Sequence, residues 1–196
     1  MLQGTVKKRA APEQPVIRIA DPSCKWGKRM VLGPLFGKDK YYEDQASNLV
    51  QSASIFATSS AMTVTDNIPL IGNYFKTGKL PTDLWDFYIT VASVGTAFIT
   101  VTDYVPRNQR ESICAKIGEE LSRFHPKGYL ALENLNGLLH SYCDAGIPCH
   151  HALGNWLSIN LLEKDDPAKE DIEAFSVVGA LIQQAFGGWF RNQKTV

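Results

Sequence analysis

The chain has 196 residues, of which 44% are hydrophobic and 20% are charged, and its 20 basic residues balance its 20 acidic ones. This length is typical of one domain, or of one domain with a tail, and it buries enough surface to need no disulfide or metal to hold a core. No continuous apolar run follows the basic residues near the N-terminus, so we expect a cytoplasmic protein and not a secreted one. The four cysteines, too few for a disulfide framework in a chain of this size, are then expected to be reduced; they are Cys24, Cys114, Cys143 and Cys149.

The balance of charge hides an uneven distribution along the chain. Residues 1–40 contain nine basic and three acidic residues, a net charge of +6, whereas residues 41–196 contain eleven basic and seventeen acidic residues, a net charge of −6. Four of the ten prolines also fall within residues 1–40, where no helical periodicity is present. We therefore expect an extended, partly ordered basic N-terminal arm over residues 1–40 and a separate helical domain over residues 41–196.

The helical domain is predicted to be all-α, a single bundle of about six helices. The first helix is expected over residues 42–63, which are rich in Ala, Ser and Thr, and turn-forming residues predict a connection over residues 64–81. Thr82 is the expected N-cap of a second helix, apolar nearly all round, that runs to about Tyr104.

Four further helices are predicted from capping and stop patterns. A capping-box spacing at Asn108 opens the third helix, which ends before Pro126, and the fourth spans about 129–143. Gly146 is expected to end the fourth helix in the left-handed conformation of a Schellman motif, followed at once by the fifth helix. Apolar residues then recur at helical spacing in the last helix, after Asp166-Pro167.

Cysteine and histidine residues cluster around the predicted stop between the fourth and fifth helices. His140 and Cys143 share a helix face at i, i+3 spacing, and Cys149, His150 and His151 open the next helix. Nitrogen and sulfur ligands of this kind suit zinc, although the spacing departs from the finger and ribbon patterns. The alternative is a small core cysteine, a first-turn cysteine and surface or half-buried histidines.

Cys149 has a second interpretation as a reactive thiol. It follows Pro148 at a helix N-terminus, where the helix dipole lowers the pKa of a thiol, and His150 is expected to lower it further. This pattern suits a redox-sensitive thiol or, with an oxyanion donor and a group that orients the histidine, a nucleophilic enzyme. The sequence contains no phosphate-binding glycine loop, no HExxH and no GxSxG motif, which favours a non-enzymatic protein.

Residues 84–101 form an apolar stretch that is a candidate membrane span. The stretch has a single charge, Asp86, and a length close to the minimum for crossing a bilayer. Its three threonines, serine and glycine favour the other interpretation, a central helix of a soluble bundle that is apolar because other helices surround it.

Two segments contain candidate partner-binding residues. The basic arm would bind another protein or its own acidic domain, with nucleic acid or an anionic membrane as the less favoured partner. An aromatic pair near the C-terminus would form an exposed anchor for a partner, or would instead cap the core. The residues of these segments are Lys7, Lys8, Arg9, Lys25, Trp26, Lys28, Arg29, Trp189 and Phe190.

These patterns favour a non-enzymatic interaction protein with an adaptor, chaperone-like or inhibitor role. It would bind another protein, or itself, through acidic helical faces and the basic arm, and charge would steer the encounter. A zinc- or thiol-based sensor or enzyme and a membrane-associated protein are the two alternatives. No cofactor is expected except zinc in the first alternative.

Overall fold

The structure, a computed structural model, describes residues 39–192, which fall within one compact unit of the chain. These residues form helices and no strand, so the predicted all-α class is confirmed. The predicted basic arm lies outside the described residues except for positions 39 and 40. The helices are α1 (Asp39–Asn67), α2 (Pro69–Lys76), α3 (Thr82–Phe98), α4 (Val101–Tyr104), α5 (Arg107–Phe124), α6 (Gly128–Asp144), α7 (Cys149–Leu162), α8 (Lys169–Phe186) and α9 (Trp189–Asn192).

The segment predicted as a connection, residues 64–81, is largely helical. α1 continues to Asn67, whose side-chain amide donates a 2.7 Å hydrogen bond to the Thr63 carbonyl instead of turning the chain. Ile68 is extended, with φ −120° and ψ 92°, and Pro69 then opens α2, because a proline suits the first turn of a helix. Asn, Pro and Gly occur at helix ends as well as in turns, so their presence over residues 64–81 does not distinguish the short helix α2 from a connection.

Three helices begin directly after a proline. Pro81, Pro106 and Pro148 are the N-caps of α3, α5 and α7, and no side chain caps these helices by a hydrogen bond. The N-cap predicted at Thr82 and the capping box predicted at Asn108 are therefore wrong. Proline takes the position because its φ is already restricted and its missing N–H is not needed there.

The predicted helix stop at Gly146 is confirmed. Gly146 has a φ of 70°, and the backbone N–H of Ile147 donates a 2.9 Å hydrogen bond to the Tyr142 carbonyl, as in a Schellman motif. This stop separates α6 from α7 by only four residues, which lets the two helices pack side by side.

Helix α3 is the centre of the bundle and packs against α1, α6, α7 and α8. Every residue from Ile89 to Ala97 is buried. The buried hydroxyl groups of Thr90 and Thr96 donate to carbonyl groups four residues earlier in the same helix, so they need no partner elsewhere. α1 and α8 each rest on this central helix, and the indole N–H of Trp85 donates a 3.0 Å hydrogen bond to the Ala57 carbonyl of α1.

Helices α7 and α8 approach each other closely because small residues meet between them. A Cβ atom at Gly154 would lie 2.6 Å from the Cα atom of Ser176, and one at Gly179 would lie 2.6 Å from the carbonyl oxygen of His150. Ser176 is buried at this contact, whereas Ala180, one turn further along α8, is exposed.

Candidate interaction face

The structure does not gather the predicted zinc ligands around one point. The side chains of His140, Cys143 and His151 are exposed, and those of Cys149 and His150 are half-buried. The imidazole rings of His150 and His151 lie 4.3 Å apart, centroid to centroid. Within residues 39–192, no group of three or more His, Cys, Asp or Glu side chains is placed to share a metal ion. Zinc binding at these residues stays a prediction from the sequence.

Cys149 has an environment opposite to the one expected for a reactive thiol. Burial raises its pKa to about 11, and the nearby Cys143 adds to the rise. The sequence had predicted a lowered pKa from the helix N-terminus, whereas the loss of hydration around the thiolate raises the pKa. Cys149 is therefore a protonated thiol near neutral pH, as is Cys114, whose pKa burial also raises to about 11.

The apolar stretch over residues 84–101 lies in a segment, Thr82–Tyr104, that is long and apolar enough to cross a membrane. Of its most apolar 18-residue window, 67% is buried inside the protein. A core helix of a soluble protein has the same length and composition.

The candidate partner-binding residues fall into two groups in the structure. Phe190 is 4% exposed and belongs to the core, as expected if the aromatic pair caps the core. Trp189 is half-buried, and its ring stacks on that of Phe186. The basic residues of the arm lie outside the described residues; they are Lys7, Lys8, Arg9, Lys25, Trp26, Lys28 and Arg29.

A groove of about 500 Å³ runs between α1 and α8 on the surface of the bundle. Both helices pack against α3, and the Phe56 and Phe186 rings make an edge-to-face contact at 5.4 Å between them. Its lining is apolar or polar without charge: Phe56, Ser59, Ser60, Thr63, Val64, Leu181, Gln184 and Ala185.

Large apolar side chains stand exposed beside this groove. Ile55 and Met62 are 62% and 77% exposed, and they lie one helical turn on either side of Ser59, which lines the groove. On α8, Val177 is exposed one turn before Leu181. We call this surface the α1–α8 face: Ile55, Phe56, Ser59, Met62, Thr63, Val177, Leu181, Gln184 and Ala185.

The α1–α8 face belongs to two long stretches of sequence that contain no charged residue. Residues 45–65 of α1 and residues 174–190 of α8 and α9 hold no Asp, Glu, Lys or Arg. By contrast, α5 has a charged exterior, with Lys116 3.1 Å from Glu119 and Arg123 2.7 Å from Glu120. Loss of charged residues from an exposed surface is typical of the centre of a protein–protein interface.

Sequence reasoning predicted acidic helical faces as docking surfaces and did not identify the α1–α8 face. The two charge-free stretches were the available signal, because a helix face that only meets water normally contains charged residues. Their assembly into one surface was not visible, since more than a hundred residues separate them along the chain.

Comparison of the chain with protein-family models, with curated proteins and with solved structures gave no match.

Proposed function

We propose that this protein is a non-enzymatic interaction protein, of adaptor, chaperone-like or inhibitor type, that binds a protein partner through the α1–α8 face. The observation that supports the proposal is the combination, on one surface, of a groove, exposed apolar side chains and an absence of charge. Exposed apolar side chains that adjoin one another mark interaction sites more often than scattered single ones do.

The lining of the groove defines the chemistry of the partner. A groove without charge does not compensate a buried charged side chain, so a partner with Lys or Glu at its centre would lose hydration without gaining an ion pair. An amphipathic helix with apolar and small polar side chains fits, and it would lie along the groove with its apolar side toward Phe56 and Leu181. The basic arm, whose positive charge is opposite in sign to the net charge of the remaining chain, is proposed to attract acidic surfaces toward the protein.

The test uses a photo-reactive amino acid in place of Ser59, which lines the groove. A matched control places the same amino acid at Ser141, another exposed serine, on α6. We expect irradiation of cells to join a defined protein to position 59 and not to position 141. The captured protein is then identified and purified. Its affinity should fall about tenfold or more when Leu181→Glu places a charge in the groove. Equal labelling at the two positions, or no loss of affinity in Leu181→Glu, contradicts the proposal.

A further inference from the structure

We infer that Cys143 and Cys149 form a thiol-oxidation site at the joint between α6 and α7. A low-molecular-weight disulfide, such as glutathione disulfide, would convert the two thiols into one disulfide bond within the chain. The site serves reversible redox modification and not catalysis. It uses no residue of the α1–α8 face, so the inference goes beyond the proposed function and does not depend on it.

The first observation is the geometry of the turn that joins the two helices. Cys143 lies in the last turn of α6, and Cys149 is the first residue of α7. The N–H of Gly146 donates a 2.9 Å hydrogen bond to the Cys143 carbonyl, and the N–H of Ile147 donates one of the same length to the Tyr142 carbonyl. These bonds fold the chain back onto the end of α6, and the two residues from Ile147 to Cys149 add at most about 7 Å. Both cysteines therefore lie at the same end of the α6–α7 pair.

The second observation is that the two thiols act on each other through space. Burial is the main cause of the raised pKa of Cys149, and negative charge on Cys143 adds to it. Such an effect between exposed charges fades beyond about 10 Å in salt solution. A disulfide joins Cα atoms about 4–7 Å apart, so the bond forms by an adjustment within the turn. Gly146, with a φ of 70°, has no side chain to resist that adjustment.

The third observation is a difference in exposure, which assigns the two roles. Cys143 is exposed, so a dissolved disulfide reaches its sulfur atom, whereas Cys149 is half-buried. Cys114 on α5 is half-buried as well, but burial alone raises its pKa, without a contribution from another cysteine. Cys143 is therefore the thiol that reacts first, Cys149 is the thiol that closes the ring, and Cys114 takes no part.

The reaction has two exchange steps. The Cys143 thiolate attacks one sulfur of glutathione disulfide, the bond between the two glutathione sulfurs breaks, and one glutathione leaves as a thiolate that takes up a proton. The Cys149 thiol then loses its proton and attacks the Cys143 sulfur, which releases the second glutathione. Two protein thiols are oxidised, and one glutathione disulfide is reduced to two glutathione thiols.

The short turn favours the second step over a second adduct. Five residues separate the two cysteines, so the attack is intramolecular and has a high effective concentration. Because the pKa of Cys149 is raised to about 11, this thiol gives up its proton reluctantly, and ring closure is the slower step. The adduct on Cys143 should therefore accumulate before the disulfide appears.

The experiment treats the purified full-length protein with glutathione disulfide near neutral pH and follows the products by mass spectrometry. We expect one glutathione on Cys143 first, and then a form two hydrogen atoms lighter than the starting protein. Remaining thiols are blocked with iodoacetamide before proteolysis. Cleavage at Asp144, which lies between the two cysteines, should give two fragments that stay joined until a reductant is added.

Three variants separate the roles of the cysteines. Cys149→Ser should stop at the adduct on Cys143, and Cys143→Ser should slow the loss of the Cys149 thiol about tenfold or more. Cys114→Ser is the matched control and should leave the products and their rates unchanged. Circular dichroism establishes that each variant is folded throughout the reaction.

Three results would overturn the inference. The first is a native protein that stops at the glutathione adduct. The second is a disulfide that joins Cys143 to Cys24 or Cys114 in place of Cys149. The third is a loss of helical signal before the disulfide forms, because the reaction would then belong to the unfolded chain.

Discussion

The hydroxyl group of Tyr74 in α2 donates a 2.5 Å hydrogen bond to Oδ1 of Asp171 in α8. Asp171 is 3% exposed, and its Oδ2 lies 3.4 Å from the ammonium group of Lys164. A buried carboxylate is stable only when such partners replace its hydration. This pair therefore holds α2 against α8 at the start of α8.

Tyr74→Phe should lower the free energy of unfolding by about 1.5–3 kcal/mol, because it removes a hydrogen bond to a charged, buried acceptor. Urea denaturation measures the difference. Tyr129→Phe is the control, since Tyr129 is 47% exposed, and we expect a change within about 0.5 kcal/mol. Equal effects of the two substitutions would contradict a special role for Asp171.

The same pair predicts a dependence of stability on pH. The hydrogen bond to Asp171 raises the pKa of Tyr74 from 10.0 to about 12. A pKa raised by folding means that the contribution of Tyr74 is fully present below pH 10 and is lost as the pH rises through about 12. The stability difference between the native chain and Tyr74→Phe should therefore shrink in this alkaline range. A difference that stays constant up to pH 12 would contradict the raised pKa.

Glycine substitutions test the close approach of α7 and α8. Gly154→Ala should destabilise the protein by about 1–3 kcal/mol, because the new methyl group meets the backbone of Ser176 and the helices must separate. Gly137→Ala on α6 is the matched control, since no atom lies within 4 Å of the added Cβ. It should stabilise by about 0.5–1 kcal/mol through better helix propensity. Thermal or urea unfolding of both variants gives the comparison, and two effects of the same sign would argue against the tight α7–α8 contact.

Alkylation rates test the environment of the thiols. The rise in the pKa of Cys149 from 9.0 to about 11 makes its thiolate about 100-fold scarcer near neutral pH. Iodoacetamide should therefore modify the exposed Cys143 well before Cys149 or Cys114, as followed by mass spectrometry of the peptides. Faster modification of Cys149 than of Cys143 would restore the interpretation of Cys149 as an activated thiol.

The sequence determines the helical class more clearly than the joints between helices. Periodic apolar residues and the Gly146 stop led to α6 and α7, because both are set by residues within a few positions of each other. The connection predicted over residues 64–81 was wrong because Asn67 extends α1 and Pro69 begins α2, roles that depend on the local backbone and not on residue type alone.

The candidate surface depends on contacts between distant residues, which local patterns do not contain. Burial raises the pKa of Cys149, whereas its position at the helix N-terminus suggested a lowered pKa. The α1–α8 face required Leu181 to lie beside Ser59 on the common support of α3. The absence of charge on α1 and α8 is visible in the sequence, but it indicates a binding surface only because the fold brings the two stretches together.

The hydrogen bond from Trp85 to the Ala57 carbonyl has a consequence for binding at the α1–α8 face. It joins the middle of α1, between Ile55 and Ser59, to the buried centre of the bundle. A partner that binds this part of α1 therefore meets a helix that is already tied to the core, which keeps the ordering cost of association small.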